Sequence, residues 1–268
     1  MKAGIPLLNE VRKTSPIVHC ITNIVVANFQ ANGLLSLGAS PIMAASIEEA
    51  ADVSAFSAAT LLNIGTLDSK VIGSMIAAGQ SANANGHPLV LDPVGAGATT
   101  FRKQTVSTLL NELDVTLIRG NAGEIAAIAG VAWNAKGVDA GEGTANIQWA
   151  AKDVAVRHRC LVAVTGETDL VTDGEKVLQI TGGHPLMSKI TGMGCLLSAV
   201  AAAFLAVGKN DKLEAVAYSL AFYKKAGEWA AERTEGPGDF EVHFLNALHL
   251  LTDKDLNHAS LFIQEEVF

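Results

Sequence analysis

Six short apolar runs punctuate the first 164 residues, each four to six residues long: Pro16–Ile21, Pro41–Ala44, Leu61–Ile64, Pro88–Leu91, Val115–Ile118 and Cys160–Val164. None alternates apolar with polar residues. A strand of that kind must be buried on both faces, and a run so short is a poor helix. Between them, residues 24–37, 47–59, 67–83, 101–113, 121–129 and 144–157 carry helical patterns. Strand–helix repetition predicts an α/β fold with a largely parallel sheet, right-handed crossovers and helices on both faces. Asp169–Ile180 breaks the rhythm and reads as a hairpin about Asp173-Gly174, an edge element. Residues 1–15 form an amphipathic lead-in. Leu196–Val207 reads as a buried helix, Lys212–Glu232 and Phe240–Leu251 as two more, with Gly137–Gly143, Gly182–Pro185 and Glu235–Gly238 as loops.

Charge narrows the partners. Only 17% of the 268 residues are charged, 49% are hydrophobic, and the net charge is −8. Without a basic stripe, nucleic-acid binding has no footing. Three cysteines, Cys20, Cys160 and Cys195, form no CxxC pair and no disulfide framework, which predicts a reducing, cytoplasmic setting. The N-terminal residues show no apolar core of a secretion signal. The run after Cys195 is too short and too alanine-rich to span a bilayer, so no membrane association is expected. With no linker composition and no internal repeat, residues 1–268 are expected to form a single domain.

Open parallel sheets bind ligands at the carboxyl ends of their strands. Asn23, Asp92, Arg119 with Asn121 and Glu124, and Thr165 all fall at such ends. Each alone could be a cap or a turn; their shared edge favours a site. Asp92 and Glu124 are candidates for Mg²⁺, which takes oxygen ligands and keeps waters, though Glu124 also suits the first turn of a helix. Arg119 matches phosphate geometry, or forms a salt bridge. Gly192-Met193-Gly194-Cys195 precedes the buried helix. Glycines there can turn backbone N–H groups toward an anion, or simply permit close packing. Cys195, in the first turn, is expected to have a lowered thiol pKa and could take a proton from a hydroxyl; a packed core thiol is the alternative. No GxxxxGK[ST] is present, and the missing early GxGxxG disfavours a dehydrogenase. His19, His87 and His184 show no zinc spacing.

Several stretches together resemble the hydroxyethylthiazole kinase family, thiamin-salvage enzymes of the ribokinase-like superfamily. They are His19-Cys20-Ile21-Thr22-Asn23, Gly38-Ala39-Ser40-Pro41-Ile42-Met43, Leu91-Asp92-Pro93-Val94 and Ile118-Arg119-Gly120-Asn121-Ala122-Gly123-Glu124. Val164-Thr165-Gly166-Glu167-Thr168-Asp169, Gly192-Met193-Gly194-Cys195 and Glu235-Gly236-Pro237-Gly238 complete the set. The resemblance implies a ribokinase-like three-layer α/β sandwich and ATP-dependent phosphorylation of 4-methyl-5-(2-hydroxyethyl)thiazole. It implies that Met43 and Gly192 contact the thiazole and that Asn23 lines its pocket. Arg119, Thr165 and Gly194 would bind ATP, with the Gly192–Cys195 turn as anion hole. Asp92 and Glu124 would organise Mg²⁺. Cys195 stands where related sugar kinases carry Asp, as the proton acceptor. A homotrimer with active sites at subunit interfaces is implied too. A kinase for a pyrimidine or sugar alcohol, and a non-catalytic nucleotide-binding protein, are the competing readings.

Overall fold

Six parallel strands form at the apolar runs, β2 shifted one or two residues earlier and β5 two or three residues later than expected: β1 (Ile17–Ile21), β2 (Ser40–Ile42), β3 (Ala59–Asn63), β4 (Leu89–Asp92), β5 (Leu117–Asn121) and β6 (Leu161–Thr165). The computed structural model describes residues 7–131 and 142–256. The sheet continues through an antiparallel hairpin, β7 (Asp169–Thr172) and β8 (Val177–Ile180), in the order β2-β1-β3-β4-β5-β6-β7-β8. Pro41 sits in β2, an edge strand, where its missing N–H is tolerated.

The pleat sends alternate residues to two separate cores. Val18, Leu61, Val90, Leu117 and Ala163 pack into one. Ile21, Leu62, Leu91, Ile118 and Val162 pack into the other. The first core lies under α1 (Leu7–Thr14), α2 (Ala27–Leu37), α8 (Met193–Val207), α9 (Lys212–Ala231) and α10 (Pro237–Leu250). The second lies under α3 (Ala50–Phe56), α4 (Ser69–Ala84), α5 (Thr100–Glu112), α6 (Ala122–Ala129) and α7 (Glu142–His158). The result is the three-layer sandwich expected.

Helix α8 is central, and its residues Leu196–Ala206 are all buried. Its alanines let neighbouring backbone come near. A Cβ on Gly33 of α2 would lie 2.4 Å from Leu196 Cδ1, so the α2–α8 crossing requires glycine there. Truncating the fully buried Phe204 to Ala would cost about 3–5 kcal/mol.

Several boundaries differ from the sequence expectation. The helix expected over 47–59 shrinks to α3, because Ala58 N donates to Ile17 O at 2.8 Å and draws the chain into β3. The helix expected from Ile24 begins at Ala27; residues 24–26 form a turn. The last helix starts at Pro237, inside the expected loop, because proline suits a first helical position. A 3₁₀ helix follows His184, over Pro185–Lys189, and a short helix, α11 (Asp253–Leu256), follows α10. Residues 1–6 of the lead-in and 137–141 of the expected loop lie outside the described residues.

Candidate active site

Strand parity builds the site. Asn63, Asp92, Arg119 and Thr165 each lie two residues beyond a residue of the α8-side core, namely Leu61, Val90, Leu117 and Ala163. All four therefore face α8 at the carboxyl end of the sheet. Gly192 caps α8 with φ 91°, a left-handed conformation, and a Cβ there would meet Val26 Cγ1 at 2.6 Å. Gly194, in the first turn, lies under the Arg119 guanidinium. Tyr223 Oη donates to Met193 O at 2.7 Å and Gln30 Nε2 to Cys195 O at 2.6 Å, which fixes the helix start from both flanks.

Asp92 is fully buried. Its Oδ2 accepts from Asn63 Nδ2 at 2.7 Å and from Ser198 Oγ at 2.9 Å. Its Oδ1 is buried without a hydrogen bond and faces Arg119 Nη1 at 3.8 Å. Burial pushes the Asp92 carboxyl up to about 6; Arg119 opposes the rise and Glu124 adds to it. Arg119 is itself 8% exposed and donates from Nη2 to Thr165 Oγ1.

Glu124 braces two strand ends. Its Oε1 accepts from Gly95 N at 2.8 Å and its Oε2 from Asn121 N at 2.7 Å. Asn121 Oδ1 accepts from Glu124 N at 2.9 Å, completing a capping box. The first-turn reading of this acid therefore holds. Each carboxylate oxygen keeps a further lone pair for another partner.

Asn63 is a residue that the sequence reading passed over as strand interior. Its Oδ1 accepts from Asn23 Nδ2 at 2.9 Å and from Gly65 N at 2.9 Å, while its Nδ2 serves Asp92. The one available signal was an amide inside an otherwise apolar run. Asn23 Nδ2 also lies 3.5 Å from Cys195 Sγ. The chain Cys195–Asn23–Asn63–Asp92–Ser198 is thus continuous.

The lowered Cys195 pKa expected at a helix N-terminus is not found. Desolvation, then the Asp92 charge, push the thiol up to about 11 against weaker help from Asn63, Arg119 and Asn23. Burial of the thiol is the main cause, and the Asp92 carboxylate adds to it. The thiol is therefore neutral at pH 7.

Met43 stands apart from this network. It follows β2, half-buried against the α8-side core. Next to it, His19 Nε2 donates to Ala44 O at 2.7 Å, and His19 Nδ1 accepts from Ser54 Oγ at 2.8 Å. Those partners set the tautomer, and burial lowers the His19 pKa.

A cavity of about 980 Å³ opens beside the network, lined by Arg119, Thr165, Gly182, Met193, Gly194 and Lys224 among others. It collects all three residues expected to bind nucleotide. Asp92 and Cys195 lie behind Arg119 and Gly194, outside its lining. A guanidinium and the N-terminal turn of α8 at one cavity suit a polyphosphate. An orphaned carboxylate oxygen beside a second acid fits a divalent cation partly ligated by water. Among the described residues, no cluster of three or more His, Cys, Asp or Glu could form a closed metal cage.

A sequence profile of the Hydroxyethylthiazole kinase family matches residues 8–254. A hydroxyethylthiazole kinase of Exiguobacterium is 54% identical over 244 residues, covering 91% of this chain and 92% of that protein. The structure of a hydroxyethylthiazole kinase from Pyrococcus horikoshii OT3 superposes with a TM-score of 0.88 at 38% identity, covering 97% of each chain. A Staphylococcus aureus pyridoxal kinase in complex with ADP shares the fold at 17% identity, with a TM-score of 0.59 over 80% of this chain and 87% of that one.

Proposed function

The chain belongs to the hydroxyethylthiazole kinase family, and from that premise we propose how its residues divide the work of phosphorylating the thiazole alcohol. The reaction is a phosphoryl transfer to the hydroxyl of 4-methyl-5-(2-hydroxyethyl)thiazole, a step of thiamin salvage. The alcohol oxygen attacks the γ-phosphorus of ATP, the bond to the β-phosphate oxygen breaks, ADP leaves, and the hydroxyl proton passes to an oxygen of the transferred phosphoryl group or to water. Catalysis of such a transfer is mainly positioning and charge stabilisation.

The observation that carries the assignment is the convergence of Arg119, Thr165 and Gly194 on one cavity, directly in front of the open oxygen of Asp92. Arg119 binds the phosphates, held in place by Thr165. The Gly192–Cys195 turn directs α8 N–H groups at the transferring group. Asp92 and Glu124 are the residues that would hold Mg²⁺, which when bound neutralises phosphate charge. Asn23, Met43 and Gly192 line the thiazole side.

Cys195 faces the alcohol as a neutral thiol. It orients the hydroxyl and lends polarity, and a strong thiolate base plays no part at neutral pH. This replaces the expectation of a lowered pKa at the helix start.

The partner copy belongs to the same proposal. Ile24 (85% exposed) and Val25 (66%) directly follow Asn23, and Ile47 (53%) lies four residues past Met43. These apolar side chains leave neighbouring strand ends beside the thiazole residues. A homotrimer that covers them and completes the site accounts for their exposure. One continuous sheet supports a single kinase domain, and three free cysteines support a reducing, cytoplasmic setting.

A product assay with thiazole alcohol, ATP and Mg²⁺ tests the reading. Thiazole phosphate and ADP should appear in equal amounts. ATP bound without product, or faster turnover of a pyrimidine or sugar alcohol, overturns it.

A further inference from the structure

Lys224 of α9 ends within a ring of oxygens gathered from three places in the chain. Its Nζ lies 3.2 Å from Gly166 O, 3.0 Å from Glu167 O, 3.2 Å from Gly182 O and 3.3 Å from Asp169 Oδ1. The Lys224 side chain is 7% exposed and that of Asp169 is 3% exposed. An ammonium has three protons. The three carbonyls take them, and the carboxylate balances the charge. Asp169 Oδ1 also accepts from Gly166 N at 2.9 Å, so the acid ties the same loop from the other side.

Those carbonyls belong to the two loops that wall the large cavity. Gly166 and Glu167 follow β6, and Gly182 follows β8. Both loops are fitted to α9. Gly182 has φ 107°, and a Cβ on it would lie 2.6 Å from Glu228 Oε1. Gly183 N donates to the same oxygen at 3.1 Å. A Cβ on Gly227 would meet Met187 Sδ at 2.4 Å, so the 3₁₀ helix beyond also rests on α9. Carbonyl oxygens that replace a hydration shell are the ligand set of a small monovalent cation.

We infer that the Lys224 ammonium is a built-in monovalent cation that sets the two loops walling the ATP cavity. It is a positioning residue, acting on nucleotide through the Gly166–Glu167 and Gly182 backbone, since its own protons are committed to those carbonyls. The inference rests on the reading of this cavity as the ATP site. Loss of the ammonium releases the loops and weakens ATP. Loss of the whole side chain leaves a vacancy lined with oxygens, which a free cation can refill.

The test measures ATP affinity by calorimetry on the full chain, wild type and Lys224→Ala. Buffers of choline, tetramethylammonium, potassium or ammonium chloride at equal ionic strength are compared. In choline, K224A should bind ATP at least about tenfold more weakly. Ammonium or potassium should recover most of that loss, and tetramethylammonium, too large for the vacancy, none of it. Wild type should be alike in all four salts. A loosened fold alone gives no reason for rescue by cation size. Wild-type affinity of K224A in choline overturns the inference, as does a loss that neither ammonium nor potassium repairs.

Should the bare Asp169 carboxylate keep K224A from folding, Lys224→Met with Asp169→Asn removes both charges together. Weakened ATP with an unchanged thiazole KM in that variant supports the inference; wild-type ATP affinity overturns it. Thiazole phosphorylation by wild type, run alongside, separates the two readings. Its failure touches the proposed reaction, whereas unaltered nucleotide binding in the Lys224 variants touches only the role of Lys224.

Discussion

The guanidinium of Arg119 rests on the backbone of Gly194: a Cβ there would lie 2.8 Å from Nη1 and 2.9 Å from Nη2. The helix N-terminus and the cation can share one cavity wall only because residue 194 has no side chain. The Gly194→Ala (G194A) variant should push Arg119 off Thr165 and out of line with the phosphates. A displacement near 1 Å costs roughly a hundredfold in rate, so kcat/KM for ATP should fall by about that factor. The fold should survive, because the methyl meets the end of a long side chain. Steady-state kinetics beside circular dichroism check this, and near-normal kcat/KM in G194A removes Arg119 from the phosphate site.

A thiol pushed up to about 11 is neutral throughout the physiological range. Cys195→Ala (C195A) should lower kcat more than it changes substrate KM, by about tenfold, less than the roughly hundredfold or more of a proton-transfer group, because a neutral thiol only orients the hydroxyl. The pH–rate profiles of wild type and C195A should keep the same shape from pH 6 to 9. An inflection near pH 8.5 present only in wild type contradicts a neutral thiol. Unchanged kcat in C195A ends its catalytic role. Iodoacetamide should label Cys195 slowly at pH 7.5, and fully buried Cys20, whose thiol is pushed up to about 12, not at all without denaturant.

Burial raises the Asp92 carboxyl from 3.8 to about 6, a shift that costs the folded state roughly 3 kcal/mol above pH 6. The sign follows from the raised value. The folded protein holds this proton more tightly than the unfolded chain, so the penalty is full above pH 6. It fades as pH falls toward 3.8. In EDTA, Asp92→Asn (D92N) should therefore raise the Tm by a few degrees at pH 8 and by little at pH 4. Activity should fall at least about a hundredfold, the usual opposition between stability and function. Calorimetric melting at the two pH values checks it; a lower Tm at pH 8 contradicts the buried-charge account.

Asn63 joins Asn23, proposed above to line the thiazole, to the acid, with one amide face on Asn23 and Gly65 and the other on Asp92. Asn63→Ala should lower kcat/KM for both substrates by about ten- to a hundredfold. It should also cost roughly 1–3 kcal/mol, since Asp92 loses a buried donor. Urea unfolding with two-substrate kinetics reads both. A defect confined to ATP places Asn63 outside the thiazole wall.

Much of this site was legible because strand ends are. Asn23, Asp92, Arg119 and Thr165 each follow an apolar run near the carboxyl end of a parallel strand, although β5 runs on from Arg119 to Asn121, and such ends share one edge of the sheet. Asn63 escaped because a single amide inside Leu61–Ile64 reads as part of the strand. Its position facing α8 depends on pleat parity, which one residue of register would reverse. Lys224 escaped because a lysine in a helical pattern is ordinarily solvated. Its burial depends on Asp169, which reaches it from strand β7.

The order of strands and helices, the three layers and the glycine turn before a buried helix follow from the sequence itself. Apolar patterning and backbone freedom are local properties, written within a few residues of where they act. The protonation of Cys195, the open oxygen of Asp92, the bracing duty of Glu124 and the oxygen ring around Lys224 were decided only by tertiary structure. Desolvation and Coulomb interaction depend on distance in space. The partners that set them, such as Asp92 against Cys195 or Asp169 against Lys224, are far apart along the chain and meet only when the sheet and its helices close.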